Sequence, residues 1–109
     1  MIDQRARNRM AELVRHLVAG LITNDEFEDR LPASSDPAIH ELFYLGVWTL
    51  YSDLSDYRLT GADAIGGEER HEVARYILFL KAGLEYRWPL YPGMTWRQAF
   101  ADFVTFGSV

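Results

Sequence analysis

The stretch LVRHLVAGLITNDEFEDRL, residues 13–31, contains the end of one helix and the start of another with almost nothing between them. Met10, Leu13, Val14, Leu17, Val18 and Leu21 recur at the i, i+3, i+4, i+7 spacing of an amphipathic α-helix, extended backward by Ala6 and Ile2. Arg5, Arg9, Glu12 and His16 fill the polar side. The tripeptide AGL at 19–21 then supplies a stop: Gly20 is free to take the left-handed C′ conformation, and Leu21 stands where it can fold back on the helix end. Thr23 and Glu26 make an S/T-x-x-E capping box, and Ile22 and Phe27 hold the N′ and N4 positions of a hydrophobic staple. Both devices name Thr23 as N-cap of a short second helix that ends before Pro32. The stretch therefore predicts an N-terminal helical hairpin.

The same residues also suggest a calcium loop, with Glu26 at position twelve, Gly20 at six and Ile22 at eight. Positions one, three and five are then Arg15, Leu17 and Ala19, none of which offers a side-chain oxygen. The hairpin reading stands and the calcium reading falls.

Downstream, Asp36 and Pro37 read as N-cap and N1 of a third helix. Ile39, Leu42, Phe43, Leu45, Val47, Trp48, Leu50, Tyr51 and Leu54 cover most of its circumference, which predicts a buried central helix. Gly46 leaves room for a close neighbour. Residues 55–67 carry three glycines and weak periodicity, and are the best candidate for a long or mobile loop. A fourth helix follows over 68–82, with Val73, Tyr76, Ile77 and Leu80 as core stripe and Phe79 widening it; it stops at a second AGL. After the aromatic and proline-rich residues 85–94, Thr95 to Gln98 form another capping box, opening a short C-terminal helix with Phe100, Phe103 and Val104. No segment shows sustained strand alternation. The expectation is one all-α domain over residues 1–109, a compact bundle of four main helices plus the short terminal one.

Composition narrows the function classes. With 49% hydrophobic and 14% aromatic residues, the chain can build a core and is not intrinsically disordered. A net charge of -5 argues against a general nucleic-acid binder, which needs a concentrated basic surface. The absence of cysteine removes disulfides and thiolate zinc sites. The first ten residues lack the apolar run of a secretory signal and no segment approaches a membrane span, so the expected setting is cytoplasmic. Charge is unevenly placed: Arg5, Arg7, Arg9 and Arg15 outnumber Asp3 and Glu12, while Asp25, Glu26, Glu28, Asp29, Asp36 and Glu41 face only Arg30. The ordinary reading of such runs is solvated helix faces with acids near helix N-termini. The functional reading is a face for a basic protein.

Catalytic signatures are weak. Glu68 to His71 gives one Glu-x-x-His, but a di-iron bundle needs two plus further carboxylates. Each of the two His-Glu pairs starts like a zinc-protease helix, yet Tyr44 and Arg75 occupy the second histidine's place. Asp53, Asp56 and Asp63 gather near the glycine-rich segment, where paired carboxylates suit acid/base work, although helix-end and turn roles explain them more simply. Tyr86, Trp88, Tyr91 and Trp96 lie in a proline-bounded segment. They suit either a lid over the bundle end or an interface hot spot, with Arg87 and Arg97 beside them for cation-π contacts.

Residues 13–31 resemble the SHOCT domain, a short helical hairpin found in many bacterial proteins, with the pattern L-x-x-L-x-x-x-G-x-I-T-x-x-E-F-x-x-x-x-x-L. Leu13, Leu17, Leu21 or Ile22, Thr23, Glu26, Phe27 and Leu31 carry the match. The resemblance implies oligomerisation rather than catalysis. LGVWTLYSDLSDYRLTG and ARYILFLKAGLEYRWP are similar to segments of small bacterial proteins with no assigned function, and carry over no catalytic residue.

The leading expectation is a non-enzymatic interaction protein, concretely a toxin-neutralising immunity-type protein. Its partner-binding residues would be Asp25, Glu26, Glu28, Asp29, Trp88, Tyr91 and Trp96. It would have a basic protein partner and no cofactor, nucleic acid or membrane. The alternatives are a homo-oligomeric scaffold, or a small ligand-binding or metal-dependent enzyme using Asp53, Asp56 or His71.

Overall fold

The computed structural model describes residues 2–83. Trp88, Tyr91 and Trp96, and the expected C-terminal helix, lie outside them. The described residues form an all-α bundle of four helices: α1 (Gln4–Val18), α2 (Asn24–Arg30), α3 (Pro37–Leu45) and α4 (Gly67–Ala82). Two short 3-10 turns, Val47–Leu50 and Gly61–Asp63, lie between α3 and α4.

The hairpin forms by the devices that encode it. Asp3 caps α1 by accepting from the Ala6 N–H, and Ala19 closes it. Gly20 then adopts φ +76°. Its N–H donates to the Leu17 carbonyl at 3.1 Å and the Leu21 N–H to that of His16 at 2.9 Å, the paired bonds of a Schellman stop. Leu21 differs from the expectation. It is 63% exposed, while Ile22 turns into the core. At Thr23 the capping box closes both ways: its hydroxyl accepts from the Glu26 N–H at 3.2 Å, and its own N–H donates to the Glu26 carboxylate at 3.0 Å.

The third helix is shorter than its sequence pattern suggests, and only one face of it is buried. Asp36 caps it, as expected, by accepting from the Ala38 N–H at 3.1 Å. It ends at Leu45 rather than continuing toward Leu54. At Gly46 the backbone leaves the helix, and a Cβ there would lie 2.9 Å from the Tyr76 ring of α4. The glycine permits that close approach at the point where the chain turns. The following Thr49 hydroxyl donates back to the Gly46 carbonyl at 2.6 Å, closing the turn. In consequence Ala38, Ile39, Leu42, Phe43 and Val47 enter the core, while Tyr44, Leu45, Trp48 and Leu54 are exposed.

The central helix is α1, which packs against each of the other three. It buries Met10, Ala11, Leu13, Val14 and Leu17 against Phe27, Leu42, Val73, Phe79 and Leu80 in one continuous core. Leu59 also joins this core, so the loop expected to be mobile is tied down in its first part, where Thr23 and Arg58 form an antiparallel bridge.

One polar network is buried within this core. Arg7, counted from sequence with the basic surface, is 1% exposed and pairs with Asp36, also 1% exposed, at 2.6 Å. Its position explains the burial: it lies one helical turn before Met10 and Ala11, on the apolar side of α1. The guanidinium makes a second bond to Asp36 at 3.1 Å and lies 5.2 Å from the centroid of the Phe79 ring. Burial pushes the Asp36 carboxyl up, but Arg7 and the Asp3 and Ala38 N–H groups outweigh it and hold the carboxyl below its ordinary value.

Candidate functional site

The outer side of α2 faces a loop that the shortened third helix releases. Around that loop sits Asn24, the first residue of α2, whose side chain is fully enclosed. Its amide nitrogen donates to the Ser52 carbonyl at 3.2 Å and the Ser55 carbonyl at 3.0 Å, and its amide oxygen accepts from the Tyr57 N–H at 2.8 Å. The backbone adds a bond from the Asn24 N–H to the Tyr57 carbonyl. Inside the loop, the Tyr57 hydroxyl accepts from the Ser52 N–H at 2.7 Å and the Ser52 hydroxyl from the Leu54 N–H at 3.2 Å. Residues 52–57 are thus a turn wound on a buried asparagine.

This turn brings Asp53 and Asp56 to the acids of α2. Asp56 accepts from the Asp25 backbone N–H at 3.3 Å, and Asp53 accepts from the Trp48 indole at 2.7 Å. Glu28 accepts from the Tyr51 hydroxyl at 2.8 Å; desolvation, that bond and the carboxylate's charge all push the phenol well above its ordinary range. Desolvation against the turn raises the Asp25 carboxyl, and the charges of Asp56, Asp29 and Asp53 raise it further. Among the described residues, Asp25, Glu28, Asp29, Asp53 and Asp56 have no ion pair.

Glu26 is set apart from this group. Its carboxylate closes the capping box and lies within reach of Arg30 at 3.3 Å and Arg58 at 4.0 Å. The Thr23 N–H and those two cations hold its carboxyl low despite partial desolvation. Asp36, included from sequence among the acids of this segment, is enclosed with Arg7 and leaves the surface altogether.

Beside the acids runs an aromatic edge. His40 and Tyr44 meet at 4.6 Å between ring centroids, and Tyr44 meets Trp48 at 5.5 Å with the rings at 88°. Tyr44 is 46% exposed and Trp48 41%. Sequence reasoning placed Trp48 among the buried positions of an unbroken helix and did not single out Tyr44 as a surface aromatic. The available signal was Gly46 followed by β-branched Val47 and Thr49, then the turn-forming residues 52–56.

Of the residues considered for chemistry, Asp53 and Asp56 share the turn beside Asp25, whereas His71 lies on α4. Asp53 is engaged with Trp48, and His71 is exposed on α4, its side chain without a hydrogen bond or ion pair among the described residues. Among the described residues, no three His, Asp or Glu side chains are grouped so as to hold a metal ion. No helix there is long and apolar enough to cross a membrane. No family model matches the chain, and neither does any curated protein or solved structure.

Proposed function

We propose that the chain is a non-enzymatic interaction protein that receives a basic protein partner on the face made by α2 and residues 52–57. The observation that carries the reading is the gathering of Asp25, Glu28, Asp29, Asp53 and Asp56, none of which has a cationic partner among the described residues. Mutual repulsion of this kind works against the folded state, and a cation placed opposite relieves it. Two other exposed acids do have cations near them: Glu12 lies close to Arg15, His16 and Lys81, and Glu26 to Arg30 and Arg58. A toxin-neutralising immunity-type role is the concrete form of this reading. The surfaces by which proteins bind nucleic acid are basic, and an acidic partner blocks such a surface while accelerating encounter.

The test is charge reversal, Asp25→Lys with Asp29→Lys, in binding assays on proteins from the source organism at low and moderate salt. The expected result is capture that weakens at least about ten-fold in the variant and falls with ionic strength. Capture indifferent to both refutes the acidic face.

A homo-oligomeric scaffold is the second reading, which rests on the resemblance of residues 13–31 to an oligomerising hairpin, with Leu21, 63% exposed, at its tip. Light scattering on Leu21→Ser against the unaltered chain tests it. A monomer in both at high concentration excludes it.

A further inference from the structure

Leu54 is 96% exposed, the most exposed of the large hydrophobic side chains among the described residues. Singly exposed leucines are ordinary. This one differs in how it is held. The turn that carries it is fixed on both sides by Asn24, Tyr57 and Ser52, so that little backbone freedom remains to be lost when the side chain is covered. It stands between Asp53 and Asp56, and Asp53 ties the turn to the half-exposed Trp48.

Resting on the reading of an acidic interaction face, we propose that residues 52–57 form a preorganised docking turn. Leu54 is its apolar anchor and Trp48 its flank, and the site on the partner protein is an apolar depression rimmed by lysine or arginine. The charge pattern selects that occupant. Two copies meeting through this turn would set Asp53 and Asp56 against their own duplicates, which is repulsive, and phosphate-bearing ligands are repelled for the same reason. A rim of cations around an apolar depression satisfies both the leucine and the aspartates. Interface anchors are typically such central apolar groups, surrounded by polar contacts that exclude water.

The test places the photo-reactive residue p-benzoylphenylalanine at position 54 of the full chain, and in a control at the exposed Leu78 of α4, with crosslinking in lysate of the source organism. The expected result is a crosslink from position 54 and not from 78 to one other protein, at a peptide with apolar residues next to lysine or arginine. With that partner purified, Leu54→Ala is expected to weaken binding by about ten-fold or more without changing the unfolding midpoint. Crosslinks to another copy of this chain, the absence of a crosslink specific to position 54, or equal binding by Leu54→Ala each overturn the proposal. If Asp25→Lys with Asp29→Lys abolishes binding while Leu54→Ala does not, the acidic face stands and the anchor falls. If only Leu54→Ala matters, the acidic face falls.

Discussion

Asn24→Ala removes the post on which the docking turn is wound, without altering the surface the turn presents. Three hydrogen bonds disappear: two donated by the side-chain amide to Ser52 and Ser55, and one accepted from Tyr57. Each neutral hydrogen bond of this kind contributes about 1 kcal/mol net, so simple addition gives about 3 kcal/mol. The Ser52 and Ser55 carbonyls belong to exposed residues and regain water, which brings the expected loss nearer about 2 kcal/mol. Urea unfolding measures that loss as a lower midpoint at constant slope. Amide hydrogen exchange locates it, because the Tyr57 N–H is held by Asn24 and should lose protection while the amides of α1 retain theirs relative to global opening. Binding to a partner should weaken as well, since a loosened turn must be reordered on docking. A loss below about 0.5 kcal/mol, with Tyr57 protection unchanged, would show that the turn is fixed by something other than Asn24 and would refute the preorganisation argument.

Other outcomes follow from the same contacts. Asp36→Asn takes the carboxylate charge from beside the buried Arg7 guanidinium, so a loss of about 3–5 kcal/mol is expected in denaturant titration. The carboxyls of Asp3, Glu26 and Asp36 are lowered in the folded chain, so the stability they contribute is present above the ordinary carboxylate range. It should be lost as pH falls below about 4, visible as a falling melting temperature between pH 5 and 2. Asp25 runs the other way. Its carboxyl is raised, so ionisation works against folding, and Asp25→Asn should raise the melting temperature at pH 7, with that gain gone at pH 2, while weakening partner capture. Gly20→Ala forces a positive φ on a side chain whose Cβ collides with the Thr60 methyl group, and about 1–2 kcal/mol of destabilisation is expected by thermal unfolding.

Local chemistry is what the sequence reports best. The Schellman stop at Gly20, the capping box at Thr23 and the cap at Asp36 involve neighbours within a few residues, so residue type and spacing determine them with no knowledge of the fold. The helical period likewise fixes which face of α1 is buried, and with it the all-α class. Three features required the tertiary structure. Arg7 enters the core because Asp36, 29 residues away, neutralises it there; composition alone counts it as surface charge. The third helix stops at Leu45, where Gly46 lies against the Tyr76 ring. Gly46 and the β-branched residues after it were a local hint, but the apolar pattern running on to Leu54 masked it, and a pattern cannot register a contact made by another helix. The acidic face itself straddles both levels. Asp25, Glu28 and Asp29 were legible as a run, but Asp53, Asp56 and Leu54 join them only because Asn24 winds a distant turn around its side chain. Spacing along the chain decides which helices form; packing between them decides which surfaces are left to meet a partner.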